Sequence, residues 1–132
     1  MIARPTSPTR LVVVDDDVAL AEELAGLFSD LGYEVAGVAH AAEQGIDLVA
    51  NSKPDVVVMD VRMEGMSGTE AAEVLHRKHP EVGVILLSAY SDESIVRAAM
   101  AAQVAAYLVK GCPAGELIST VDTVAKTHRG GT

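Results

Sequence analysis

A single cysteine, Cys112, stands in the 132 residues, so no internal disulfide can form and a reducing, cytoplasmic setting is expected. Basic side chains are scarce as well: ten Lys and Arg against nineteen Asp and Glu give a formal net charge of −9. A nucleic-acid surface needs Lys and Arg clustered against the phosphate backbone, so direct nucleic-acid binding by this chain is not expected. Nowhere does the sequence approach the roughly 20 consecutive apolar residues of a membrane span. Its first ten residues also lack the apolar run of a signal peptide. With 49% apolar residues at this length, one core is expected and no room is left for a second domain.

What is present is a series of short apolar runs, each closed by a polar residue. Met1 to Thr9 contains two prolines with Ser and Thr and no hydrophobic period, which predicts a flexible leader over residues 1–9. The folded domain is placed at residues 10–127. Leu11 to Val14 reads as a first strand ending on Asp15-Asp16-Asp17. Leu20, Leu24, Leu27, Phe28 and Leu31 then recur at helical spacing; Asp17 is placed to cap that helix and Gly32 to end it. Tyr33 to Ala39 reads as a second strand. Ala41 to Ala50 reads as a second helix weakened by Gly45, with Ile46 and Val49 toward the core and Lys53-Pro54 closing it.

Val56 to Asp60 is the most continuous apolar run, bounded by Lys53-Pro54-Asp55 before it and by Gly65 and Gly68 after it, and reads as a fully buried strand. Ser67 and Glu70 have the spacing of a capping box for a third helix that buries Ala71, Val74 and Leu75 and ends at Pro80. Val82 to Leu87 is a fourth strand stopping on Ser88-Ala89. Ser91 opens a fourth helix with Asp92 and Glu93 in its first turn and an alanine-rich body, Ile95 to Ala102. Ala105 to Val109 is a fifth strand ending on Lys110. Pro113 starts a fifth helix that buries Leu117, Val121 and Val124, and residues 128–132 are expected to fray.

Five strands alternating with five helices, joined by right-handed crossovers, predict an α/β fold: a doubly wound parallel sheet with helices on both faces. Ligand crevices in such sheets lie outside the carboxyl ends of the strands. That rim collects the Asp cluster, Asp60, Ser88 and Lys110. Carboxylates gathered there repel one another, and a divalent cation relieves the repulsion. All-oxygen donors without His or Cys suit Mg²⁺, commonly held by one or two carboxylates together with phosphate oxygens. Asp60 as nucleophile, Lys110 as a charge on phosphate oxygens and Ser88 as hydroxyl donor would complete a phosphoryl site.

These residues together resemble the receiver domain of a two-component response regulator over about residues 10 to 127. The resemblance implies a five-stranded sheet of order 2-1-3-4-5, the flavodoxin-like order of doubly wound folds. It implies Asp60 as phosphoacceptor, Ser88 as switch hydroxyl, Tyr107 as switch aromatic and Lys110 as the family's lysine. Asp16 and Asp60 would ligate Mg²⁺ directly, Asp15 largely through water, and the backbone carbonyl of Arg62 would supply a further ligand. Phosphorylation would come from a sensor histidine kinase or phosphotransfer protein. The face made by the fourth helix, fifth strand and fifth helix would then dimerise or bind a downstream partner. Arg62 and Tyr90, two positions past Asp60 and Ser88, would set the lifetime of the phosphoryl group. No classical enzymatic turnover is implied beyond self-catalysed phosphorylation and dephosphorylation.

The sequence departs from the family at three places. Glu64 stands where Pro is common, so the loop is expected to be more mobile and its acid to lean toward the metal. Gly111 follows the lysine, as in the subfamily with a helix-turn-helix output domain. Gln103 replaces the usual Gly before the fifth strand, an awkward residue at positive φ. Other readings fit fewer residues. A haloacid dehalogenase-like phosphohydrolase would use Asp15 and Asp17, but its Gly-Thr is Val18-Ala19 here and no acidic pair follows Lys110. A receiver kept only for docking would not need the full Asp, Ser and Lys set. A receiver cut from a longer DNA-binding regulator fits as well as a stand-alone one. Glu73, His76 and His79 have the spacing of metal ligands, yet an exposed polar helix face accounts for them better. Cys112 reads as a small loop residue.

Overall fold

The structure, a computed structural model, describes residues 8–89 and 92–128. Each apolar run forms a strand and each strand feeds a helix: β1 (Arg10–Val14), α1 (Val18–Asp30), β2 (Glu34–Ala39), α2 (Ala42–Ser52), β3 (Val56–Asp60), α3 (Gly68–Lys78), β4 (Gly83–Ser88), α4 (Glu93–Ala101), β5 (Ala106–Val109) and α5 (Ala114–His128). All neighbouring strands pair in parallel, in the order β2-β1-β3-β4-β5. The order reverses between β1 and β3. Their carboxyl ends therefore flank the switch point where such sheets hold ligands.

Strand alternation divides the interior into two apolar layers. Val12, Val14, Val57, Met59 and Leu86 pack with Ala71, Leu75 and Ala99 on the side of α2, α3 and α4. Leu11, Val13, Val58, Ile85 and Leu87 pack with Phe28 and Val121 on the side of α1 and α5. Central strands buried on both faces must be apolar at every position, which is why β3 reads as an unbroken run.

Local chemistry sets the helix starts. The Asp17 carboxylate accepts the Leu20 amide at 3.1 Å. Ser67 and Glu70 form a reciprocal capping box at 3.1 and 3.0 Å, and Asp92 accepts the Ser94 amide at 2.8 Å. Each such cap stabilises its helix by about 1 kcal/mol. At the amino-terminal edge of the sheet, the Arg10 amide donates to Asp55 at 2.8 Å and its guanidinium pairs with Glu34 at 3.0 Å. The same guanidinium donates to the carbonyls of Ser52 and Lys53. The carboxyl ends of the strands form the opposite rim.

Several expectations are corrected. α4 starts at Glu93 with Asp92 as its cap; Ser91 lies outside the described residues, as do residues 1–7 of the expected leader and 129–132 of the expected tail. α2 runs two residues beyond Ala50 and is ended by Lys53 in a left-handed conformation, φ 51. Gly45 is no weakness in α2. A Cβ there would stand 2.8 Å from Val14, so glycine is what lets α2 lie against β1. Leu31 is 51% exposed because α1 stops at Asp30 and Leu31 serves as its C-cap. β2, β4 and β5 begin one residue later than expected, and β4 extends to include Ser88.

Candidate functional site

Asp60 is the last residue of β3 and is 6% exposed; Asp15, directly after β1, is 2% exposed. Asp16 beside it is exposed. Carboxylate oxygens of these three residues lie within 4.8 Å of one another, and they are the residues that could jointly hold a metal ion among those described. The Asp15 amide extends the ladder to the Ala39 carbonyl at 3.0 Å, and its Oδ1 accepts the Asp17 amide at 2.9 Å. Lys110 follows β5, with its amide held by the Ser88 carbonyl at 2.7 Å. Its Nζ stands 3.1 Å from Asp15 Oδ2 and 3.2 Å from Asp60 Oδ1.

Burial and then the Asp15 charge push the Asp60 carboxyl above the ordinary carboxylate range, against the opposing pull of Lys110. Burial alone would pull the Lys110 ammonium down, but its hydrogen bonds and charge pairing with Asp15 and Asp60 outweigh that and hold it up. Asp15 and Asp60 are buried around the one Lys110 ammonium, so burial and mutual repulsion raise Asp60 while the two carboxylates raise Lys110. With all groups ionised, three carboxylates and one ammonium leave −2. All-oxygen donors and a deficit of two charges fit a hard divalent cation such as Mg²⁺.

Ser88 ends β4 and is 1% exposed. Tyr107 is half-buried in β5, opposite Leu86, and packs in the layer that contains Ala99 of α4. By strand alternation Ser88 and Tyr107 share one face of the sheet. Arg62 is exposed. With Asp16, Glu64, Ser67, Ser94 and Ile95 it lines an open cleft of about 720 Å³ beside the acidic group. Tyr90 lies outside the described residues.

The loop after Asp60 is tied closely to it. Val61 continues the ladder to the Leu87 carbonyl at 3.0 Å, and the Gly68 amide returns to the Val61 carbonyl at 2.8 Å. A Cβ on Gly68 would collide with the Asp60 carbonyl oxygen. In the sequence Gly68 marks only a loop, and its eight-residue spacing from Asp60 is the one sign there of this contact. Glu64 is exposed and lines the cleft together with Asp16, outside the group of three aspartates. Asp17 caps α1 with its carboxylate and stands outside the group formed by Asp15, Asp16 and Asp60. Glu73 and His76 are exposed and His79 faces Glu81 at 3.8 Å, without a joint site. Gly111 has φ 91, a value closed to proline, which explains the glycine after Lys110. Gln103 has φ 61, the awkward conformation its position suggested.

An acidic rim with a lysine on a doubly wound parallel sheet is consistent with the phosphoacceptor class of α/β domain. Residues 11–122 match the family model of the response regulator receiver domain, and the chain belongs to that family, the receivers of two-component signalling. It is 30% identical over 122 residues to the transcriptional regulatory protein PdtaR of Mycobacterium tuberculosis, covering 92% of this chain and 59% of that one. To the response regulator GacA of Pseudomonas viridiflava it is 31% identical over 121 residues, covering 91% and 56%. The chain thus spans less than two thirds of the length of these curated relatives. The signal receiver domain of a NarL response regulator from Mycobacterium tuberculosis superposes with a TM-score of 0.83 at 29% identity, covering 94% of this chain and 98% of that one. A CheY-like receiver domain protein from Methanospirillum hungatei superposes with a TM-score of 0.89 at 24% identity, covering 96% and 100%, which supports the fold alone. No helix among the described residues is long and apolar enough to cross a membrane.

Proposed function

We propose that Asp60 accepts a phosphoryl group from the phosphohistidine of a sensor kinase or phosphotransfer protein. The observation that carries this reading is the Lys110 ammonium set between Asp60 and Asp15 at 3.2 and 3.1 Å on the carboxyl rim. One Asp60 oxygen forms the new P–O bond as the donor's P–N bond breaks, and the electron pair passes to the imidazole nitrogen. Asp15, Asp16, Asp60 and the Arg62 backbone carbonyl would hold Mg²⁺, which when bound supplies charge to the phosphoryl oxygens. Lys110 is a second fixed charge for those oxygens, and the Ser88 hydroxyl is a donor at the adjacent strand end.

The readout follows from the shared face of Ser88 and Tyr107. A phosphoryl group that draws in the Ser88 hydroxyl changes the space available to the half-buried Tyr107, biasing the α4-β5-α5 face between two arrangements. That face then docks a second copy or a downstream partner. Arg62 and Tyr90 control how quickly water reaches phosphorus. Intact-mass measurement after incubation with Mg²⁺ and a small acyl phosphate tests the central step. One added phosphoryl group is expected, absent in Asp60→Asn; equal labelling of that variant overturns the assignment.

A further inference from the structure

The N-cap residue of α2, Ala41, offers no capping side chain. Gln44 substitutes by turning back, its Oε1 accepting the His40 amide at 2.9 Å. His40 is thereby fixed at the exit of β2, and its ring Nδ1 lies 3.0 Å from the backbone carbonyl oxygen of Asp15. A carbonyl oxygen only accepts, so Nδ1 carries the proton, and the neutral ring is the Nδ1–H tautomer. The amide of the same residue, Asp15, donates to the Ala39 carbonyl at 3.0 Å. Asp15 is therefore gripped at both its backbone groups by two consecutive residues at the end of β2.

The carbonyl that His40 holds belongs to the peptide joining Asp15 to Asp16. A peptide is planar, so fixing its oxygen fixes the plane from which the Asp16 side chain departs. Asp15 is already anchored through its own carboxylate, to Lys110 and to the Asp17 amide. Asp16, the exposed member of the group, depends more on the backbone that presents it. We infer that His40 is a positioning residue for the acidic pair: its Nδ1–H tether to the Asp15 carbonyl orients Asp15 and Asp16 toward a divalent cation. This rests on the reading of the rim as a cation-dependent phosphoacceptor site. Without the ring, the carbonyl turns to water and the β1–α1 loop loosens, while Asp60 and Lys110 keep their places.

Mg²⁺ titration of the full chain, followed by NMR at the amides of Asp16 and Asp60, tests the tether. His40→Ala should weaken Mg²⁺ binding by about tenfold, the low end for groups that orient metal ligands. His40→Asn should restore it, because the Asn amide nitrogen occupies the place of Nδ1, whereas His40→Gln puts its amide one bond further out and should stay weak. A role confined to stabilising α2 would lower the melting temperature of these variants without this pattern in cation affinity. Equal binding by wild type and His40→Ala overturns the tether and leaves the phosphoacceptor reading standing; so does a His40→Asn variant as weak as the Ala variant. Wild-type amides that ignore millimolar Mg²⁺ overturn the site reading and the tether with it. Should His40→Ala fail to fold, the long-range proton–nitrogen spectrum of the wild-type imidazole in alkaline buffer decides. The Nδ1–H tautomer is expected, and an Nε2–H ring overturns the proposal.

Discussion

The ammonium of Lys110 lies 3.2 Å from Oδ1 of Asp60, although β4 stands between the strands that carry them. The lysine stem spans that strand end to reach the carboxylate. A charge placed this way stabilises the carboxylate less than burial and Asp15 destabilise it, since the Asp60 carboxyl remains above its ordinary range. The site is held together with its electrostatics only partly satisfied.

Stability should record this imbalance. A folded chain that holds the Asp60 proton more tightly than the unfolded chain does loses stability as pH rises from the ordinary carboxylate range through the raised folded value. The contribution returns as pH falls. Asp60→Asn should therefore be more stable than wild type at neutral pH without Mg²⁺, by roughly 1 kcal/mol, a typical gain when a functional charge is removed. In thermal unfolding the difference should shrink toward acid pH and shrink or reverse in excess Mg²⁺. A variant less stable than wild type under Mg²⁺-free neutral conditions would contradict the account.

Gly68 should be intolerant of any side chain. Its missing Cβ makes room for the Asp60 carbonyl oxygen, a backbone atom that cannot swing aside. Gly68→Ala should cost about 3 kcal/mol, the upper end for overpacking. Gly65→Ala is the control: φ is 82 but nothing lies within 4 Å of a Cβ there, so only the left-handed conformation is penalised, by about 1 kcal/mol. Urea midpoints that fall equally for the two variants would show that the contact with Asp60 is not what matters.

Gln103 offers a gain. Its φ of 61 costs about 1–2 kcal/mol for a residue with a Cβ, and glycine would relieve that while adding roughly 0.5–1 kcal/mol of unfolded-state entropy. Relief exceeds the entropic term, so Gln103→Gly should stabilise by about 0.5 kcal/mol. A lower urea midpoint for the variant would show that the Gln side chain contributes more than its backbone loses.

The phosphoryl group on Asp60 should persist for many minutes. Hydrolysis needs a water in line with the breaking bond, and each 1.36 kcal/mol added to that barrier slows it about tenfold. Arg62 lines the cleft beside Asp16, and neither it nor Tyr90 has a carboxylate or amide to align water. Arg62→Asn with Tyr90→Glu should shorten the lifetime at unchanged phosphorylation, as read by the decay of the phosphorylated mass. Loss within seconds in wild type, or an equally durable double variant, removes these two positions from the account.

The rim was legible because of how buried strands are written. β3 is apolar on both faces until it meets the crevice, so Asp60 marks its own place at the end of Val56-Val57-Val58-Met59. Ser88 and Lys110 do the same for their strands. Caps such as Asp17 and the Ser67–Glu70 box are contained in four residues and could be read directly. What escaped was contact between distant segments. Gly45 looked like a helix defect because Val14, the side chain it makes room for, is 31 positions away. His40 binds a backbone carbonyl 25 residues back in the chain, and a carbonyl leaves no mark in a pattern of side chains. Leu31 fitted the helical period, but the period could not say that the helix had already ended.

The alternation that separates the two apolar layers also sorts the functional side chains. Asp15, Asp60 and Lys110 continue the phase of Val13, Val58 and Leu108, which face α1 and α5. Ser88 and Tyr107 keep the phase of Leu86, which faces α4. The sheet is thus a wall with the acids and the lysine hung on one side and Ser88 and Tyr107 on the other, meeting at the carboxyl rim. Substitutions around Phe28 and Val121 would press first on the layer beneath the acids and those around Ala99 on the layer that holds Tyr107, with α5, a member of both the rear layer and the proposed docking face, as the place where the two adjustments meet.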